Sequence, residues 1–203
     1  MLTIGGPLLA LIAGSLPMSV PMSVPMQQTN FGDPRGFVVM VHSALIRAGL
    51  DDTPARILTA HSVVSTNWGK GVHNFNLSGM KAGATWRAKR PYVVRRSCEC
   101  REGHRNRTTS KYKCPKGTGQ KCWSMYWRAY PSLDAGAQAF LAAVRQRRYL
   151  RAYRLLLAGD PEYFEEIGRA GWYSADPEHV KASGLRRLKT INHWLDALKV
   201  PTI

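Results

Sequence analysis

Two blocks of helical sequence flank a long polar stretch, and this arrangement constrains the chain more than any other feature. In the first block Phe37–Ala48 is apolar at helical spacing and stops at Gly49. Asp51-Asp52-Thr53-Pro54 reads as the next start, with Thr53 as N-cap and Pro54 at the first helical position. That helix is predicted to pass through Ile57, Leu58, His61 and Val64 to about Thr66, where Asn67-Trp68-Gly69-Lys70-Gly71 breaks it. In the last block Ser132 caps a helix through Phe140, Leu141 and Val144, and a further helix covers Tyr149–Ala158 up to Gly159. Asp160-Pro161-Glu162 and Asp176-Pro177-Glu178 are matching starts: a cap, an N1 proline, and an acid near the positive end of the dipole. The final helix is predicted to reach about Leu198, with Leu185, Leu188, Ile191 and Leu195 on one face. Such faces must be buried on one another. The expected fold is mainly α, with a small Cys-rich irregular or β insertion and an extended N-terminal arm.

A chain of 203 residues suits one domain with an appendage. The boundaries read as 1–30 for the arm and 31–203 for the domain, with the insertion at about 86–126. The first 32 residues carry no charged side chain. Leu2–Leu16 is apolar but interrupted by Gly5, Gly6 and Pro7, and is short for a membrane span. It lacks the positive start and the small-x-small cleavage site of a secretory signal, so no export signal is expected there. Pro17-Met18-Ser19-Val20 then repeats as Pro21-Met22-Ser23-Val24. Proline at every fourth position blocks helix and favours an extended arm. Docking on a partner subunit and a disordered tail are both open for it. Residues 72–96 read as loop and short extended pieces.

Lys and Arg number 29 against 13 Asp and Glu, a net charge of +16. Such a surface seeks a polyanion: nucleic acid, anionic lipid or the bacterial wall. The basic residues fall in separate clusters at Arg87–Arg96, Arg101–Arg107, Arg145–Arg154 and Arg186–Lys189, which also suits several solvated faces.

Four separated motifs occur in one order. The first is Ala60-His61-Ser62-Val63-Val64-Ser65-Thr66-Asn67-Trp68-Gly69-Lys70 and the second Asn76-Leu77-Ser78-Gly79-Met80-Lys81. The third is Trp127-Arg128-Ala129-Tyr130-Pro131-Ser132 and the fourth Ala170-Gly171-Trp172-Tyr173-Ser174-Ala175-Asp176-Pro177. Together, over roughly residues 36–195, they resemble the bacterial glucosaminidase/muramidase family of flagellar-rod muramidases and autolysins. The arm and the cysteine insertion lie outside the resemblance. It implies a lysozyme-like fold, a groove for alternating amino sugars of peptidoglycan, and cleavage of β-1,4 bonds between them. It also implies a catalytic glutamate three residues before the Trp-Gly, where this chain has Ser65. By the same resemblance Tyr173 lines the cleft, and Trp68, Asn76, Lys81 and Tyr130 are expected to contact or shape the groove.

Glycoside cleavage needs a proton delivered to the leaving oxygen, which a carboxylic acid of raised pKa supplies. A serine hydroxyl is far too weak an acid. Loss of the general acid alone removes about 10²–10⁴-fold in rate. Between Asp52 and Asp134 the carboxylates are Glu99 and Glu102, both in the insertion. They are candidates for a second acid or base, and equally for solvated acids in a basic loop. Three accounts of Ser65 stay open: an engineered inactivation, a natural pseudoenzyme that binds glycan without cutting it, and, least expected, an unusual mechanism. His61, one turn before Ser65, is expected to be a buried and satisfied histidine.

Cys98, Cys100, Cys114 and Cys122, with His104 as an alternative ligand, sit close together in a polar segment with little core of its own. Structural zinc is the first expectation, although Cys-x₂-Cys spacing is missing; two disulfides are the alternative. No cofactor is expected for catalysis. The chain is expected to act at the bacterial wall or periplasm on peptidoglycan strands, its arm joining it to other subunits of a phage-tail or injection-type assembly. A structural or plug role for the same fold is the alternative. Nucleic-acid binding through the basic segment and its aromatics Tyr112, Trp123, Tyr126 and Trp127 is a third class.

Overall fold

Capping fixes where the helices begin. The computed structural model of the chain describes residues 23–100, 120–173 and 175–198. Helix α1 (Pro34–Arg47) starts at a cap that lies ahead of the apolar run: Asp33 Oδ1 accepts from Gly36 N at 2.7 Å, with Pro34 in the first turn. Its inner face is Phe37, Val38, Val41, Ala44 and Leu45, the i, i+4 stripe that buries against a core. Helix α2 (Asp52–Thr66) begins two residues before the expected site. Asp51, not Thr53, is its N-cap, so Pro54 falls in the third helical position. That position still lies within the first turn, where a missing N–H breaks no helical bond.

Helix α2 is buried nearly all round, from Pro54 through Val63, and packs on α1 and on the last helix. Its buried hydroxyls are therefore all bonded. Thr59 Oγ1 donates to Ala55 O, Thr66 Oγ1 to Ser62 O, and Ser62 Oγ to Leu77 O at 2.5 Å. After a short helix α3 (Ala84–Arg87), strands β1 (Tyr92–Cys100) and β2 (Gln120–Arg128) form an antiparallel pair, Tyr92 opposite Arg128 and Cys100 opposite Gln120. The segment at Lys81 bridges the far side of β2 opposite Trp127.

Helix α4 (Leu133–Val144) is capped by Ser132, whose Oγ accepts from Ala135 N. A single 3₁₀ turn (Arg147–Tyr149) leads into α5 (Leu150–Leu157). The Asp160-Pro161-Glu162 motif forms a turn rather than a cap. Asp160 Oδ1 accepts from Glu162 N, and α6 (Tyr163–Arg169) begins just after it. Asp176 caps α7 (Pro177–Ala197) as expected, accepting from Glu178 N and His179 N. On α7 the buried face is Val180, Gly184, Ile191 and Leu195; Leu185, expected there, is exposed. Gly184 takes the inner position because a Cβ there would lie 2.3 Å from the Phe164 ring, so only glycine lets α6 and α7 approach so closely.

The end of the arm docks on its own domain. Residues 23–30 run extended: Val24 N donates to Tyr92 O, Asn74 N to Gln27 O, and Thr29 N to Val72 O. The Asn74 side chain accepts from Gln27 N and donates to Pro25 O. Phe31 then packs edge-on against Phe37 of α1. This strap ties the hairpin base to the helical body. Residues 1–22, including the apolar stretch and the first of the two repeats, lie outside the described residues. No described helix is long and apolar enough to cross a membrane.

Candidate functional site at the end of the central helix

The sequence breaks α2 abruptly, and the break sets the site. Asn67, Trp68 and Gly69 take φ of 50°, 59° and 81°, three left-handed residues in succession. Asparagine and glycine tolerate this, but a tryptophan does so at a cost of order 1–3 kcal/mol. The surroundings hold it. Gly71 N donates to Thr66 O at 2.8 Å, and Gly69 N to Thr66 Oγ1. The Trp68 ring lies 5.2 Å from that of Trp194, with Arg187 over it at 5.0 Å. Gly69 has no room for a side chain, because a Cβ there would lie 2.5 Å from Phe37.

One turn back, Ser65 Oγ lies 3.0 Å from the Tyr173 hydroxyl, which itself donates to His61 O at 3.3 Å. A phenol has a single proton. With that proton on the His61 carbonyl, Ser65 is the donor to Tyr173. Burial pushes the Tyr173 pKa upward, against the smaller opposing pull of the Ser65 hydrogen bond, so the phenol stays neutral.

Beneath Ser65 the packing is aromatic. The His61 ring is fully buried and lies 4.9 Å from Phe140, 5.0 Å from Trp172, 5.1 Å from Tyr173 and 5.8 Å from Tyr163. Its Nδ1 shares a 2.6 Å hydrogen bond with the Tyr163 hydroxyl. Burial lowers the His61 pKa to about 3 and pushes that of Tyr163 well above its ordinary value. His61 is thus buried, as expected, and neutral, but only half satisfied: its Nε2 has no hydrogen-bond partner among the described residues. A carboxyl group placed in such surroundings would have its pKa raised; among the described residues no carboxylate bonds to Ser65 or Tyr173. Asp52, at the other end of α2, is roughly 20 Å away at the helical rise. Glu165 and Glu166 are ion-paired to Arg169, Lys181 and Arg151.

The structure brings Ser65 and Tyr173 together, and it gives the other expected groove residues different surroundings. Asn76 is buried and its amide is consumed internally, accepting from Met80 N and donating to Met80 O and Arg128 O. Tyr130 is buried, its hydroxyl 3.9 Å from Met80 Sδ, and burial raises its pKa. Lys81 is exposed, and its carbonyl accepts from Arg128 Nε. Trp68 is half-buried. On the hairpin Glu99 stands opposite Lys121, and Cys98 opposite Cys122. Glu102, His104 and Cys114 lie outside the described residues.

Two features go beyond what the sequence led us to expect. One is the His61–Tyr163 pair, whose partners are 102 positions apart with no local signal linking them. The other is a cluster of arginines on aromatic rings at the hairpin base. Its signal was the near absence of acids between Asp52 and Asp134.

No protein-family model matches the chain, and no curated protein sequence matches it significantly. Solved structures do. The chain is similar to a peptidoglycan hydrolase mutant from Sphingomonas sp. A1, with 23% identity and a TM-score of 0.55 over 80% of this chain and 99% of that one. It is also similar to a C-terminally truncated glycoside hydrolase domain from Salmonella typhimurium FlgJ, with 20% identity and a TM-score of 0.53 over 81% of this chain and 99% of that one. The chain shares their fold, mainly helical with a small two-stranded sheet, consistent with the lysozyme-like architecture expected from the four motifs.

Proposed function

We propose that the chain is a peptidoglycan-directed domain of the glycoside-hydrolase type, acting at the bacterial wall, with its general-acid position disabled at Ser65. One observation carries the reading: in a fold shared with a peptidoglycan hydrolase and a glycoside hydrolase domain, Ser65 and Tyr173 meet above a packed aromatic cluster at the end of α2. Cleavage of a β-1,4 bond between amino sugars needs an acid at the leaving oxygen. On this reading that place belongs to Ser65, whose hydroxyl is a donor to the neutral phenol of Tyr173. The chain as it stands is therefore read as binding glycan rather than cutting it.

Ser65→Glu tests this. A glutamate at that position would sit against the ring of Tyr173 and the cage around His61, where desolvation raises its pKa into the range of a working acid. Purified peptidoglycan should lose turbidity with Ser65→Glu, and the unaltered chain should be slower by about 10²-fold or more. If neither protein clears the wall but both sediment with it, the domain binds through a groove unfit for cleavage. If neither clears it nor sediments with it, the peptidoglycan reading is wrong, and the structural or plug role takes its place.

Two further elements of the proposal lie beside the site. The proline repeat ahead of the strap suits attachment to other subunits of a wall-penetrating assembly of phage-tail or injection type. The Cys-rich segment is proposed to be stapled by structural zinc; Cys98 opposite Cys122 in the ladder suits a shared metal or a cross-strand disulfide. Thiol titration before and after chelation separates the two: thiols that appear only on chelation mean metal, and thiols that appear only on reduction mean disulfide.

A further inference from the structure

The base of the hairpin gathers cations where the chain has no acids. No Asp or Glu occurs from Thr53 to Cys98, or from Gly103 to Leu133. Lys81, Arg87, Lys89, Arg90 and Arg128 lie here, and none makes an ion pair among the described residues. Three of them are nonetheless placed. The guanidinium carbons of Arg90 and Arg128 lie 5.0 and 4.5 Å from the Trp86 ring, and that of Arg87 lies 3.9 Å over Tyr126. The rings are themselves fixed: Trp86 Nε1 donates to Pro91 O at 2.8 Å, and Tyr126 packs edge-on against Tyr92. Arg87 Nε is buried and has no hydrogen-bond partner among the described residues. Assembling like charges without a counter-charge is unfavourable, and a cation–ring contact at a surface returns only about 0.5–1 kcal/mol. The arrangement is that of a site whose anion comes from elsewhere.

We propose that this cluster binds the carboxylates of the peptide stems that project from a peptidoglycan strand. The proposal rests on the peptidoglycan reading above. A guanidinium lying on a ring can still present N–H groups to a carboxylate, and Arg90, exposed and with no ion pair among the described residues, is the one best placed to do so, whereas Arg128 already donates through Nε to Lys81 O. The same arrangement disfavours single-stranded nucleic acid, which needs open ring faces for its bases, since these rings are occupied by arginine. The location also fits. Ser62 holds Leu77 against α2 one turn before Ser65. Lys81 follows four residues later, at most about 13 Å away along an extended chain. A strand lying at the end of α2 would carry its stems past these arginines.

Fluorescence binding to soluble, phosphate-free glycan strands that keep their stems, to the same strands after amidase removal of the stems, and to a thymidine oligonucleotide tests the proposal. The proteins are the unaltered chain, Arg87→Gln/Arg90→Gln, and a charge-matched control on the exposed arginines at α5, Arg147→Gln/Arg154→Gln. The unaltered chain should bind stem-bearing glycan roughly tenfold better than stem-free glycan at low salt. That preference should vanish in the Arg87/Arg90 variant and persist in the control. Thermal melting checks that the variants fold, and the exposed Arg90→Gln alone serves if the double variant does not. Equal affinity of the unaltered chain for the two glycans overturns the proposal and leaves the peptidoglycan reading intact. So does an equal loss in the control. Tighter binding to the oligonucleotide, lost in the Arg87/Arg90 variant, reassigns the cluster to nucleic acid. Binding to neither glycan removes the peptidoglycan reading and this proposal with it.

Discussion

The helical body and the hairpin base treat charge in opposite ways. In the body every ion pair ties structure together. Arg56 joins Asp52 to Asp196 across α2 and α7, Arg47 reaches Asp134 on α4, and Lys181 reaches Glu162 and Glu165 at α6. At the hairpin base there are cations, but no described acid to pair with them. Arginines there are positioned by tryptophan and tyrosine, and Arg128 also by the Lys81 carbonyl, none of which neutralises the charge. Not every cation in the body is paired either, since Arg147 and Arg154 face solvent. What separates the regions is where the acids are. Arginines lie on rings in both regions, as Arg187 does on Trp68, but at the hairpin base they gather with no described acid beside them.

The largest effect that would sharpen this contrast comes from the interior of the body. Burial holds the His61 pKa near 3, against 6.5 for a free side chain. The unfolded chain therefore takes up the proton more readily. Stability from keeping the ring neutral is whole above pH 6.5 and drains away as the pH falls toward 3, by an amount on the order of 5 kcal/mol. The lowered pKa of His42, also due to burial, adds in the same direction. Urea unfolding between neutral pH and pH 4 should show this slope, and His61→Gln should flatten it. A slope unchanged in that variant would break the assignment. Next comes packing. Gly184→Val drives a side chain into Phe164 and should cost about 3 kcal/mol or more, whereas Gly83→Ala, ahead of α3 with open space around it, should change stability by less than about 0.5 kcal/mol. Equal effects would mean that the two regions are packed alike. The smallest effect is in the charges themselves. Arg56→Met removes a half-buried charge from between two acids and should cost about 1–2 kcal/mol, against roughly zero for Arg90→Met. If Arg90→Met destabilised as much, the hairpin arginines would be structural.

How much of this was legible in the sequence follows from the range of each interaction. Helices α2, α4 and α7 could be read because their signals are local: apolar spacing, Ser132, and Asp176 ahead of Pro177. The start of α1 carries the same signature at Asp33-Pro34, but the apolar run beginning at Phe37 is the stronger pattern and masks it. Leu185 is misplaced by its spacing because a helical stripe of nearly three turns cannot tell its centre from its edge. Gly184, next to it, takes the inner position against Phe164 of α6, and Leu185 is exposed. Ser65 and Tyr173 were each singled out through their motifs, not through any rule of spacing, and their contact across 108 positions had no local signal. Asn76 and Tyr130 were drawn to the groove by the same motifs, yet their polar atoms are spent on Met80 and Arg128, partners up to 52 positions away.

The strap has a mechanical consequence. Whatever precedes residue 23 leaves the domain beside Tyr92, on the strand whose other neighbour is β2. Tension applied from the N-terminal side would load the Val24–Tyr92 hydrogen bond first, then those to Asn74 and Val72, and only then Phe31 on the core. These contacts follow one another along the chain, so the strap would come away from the domain residue by residue. The base of the hairpin, where the arginines stand, would therefore respond to a pull well before the body around His61 did.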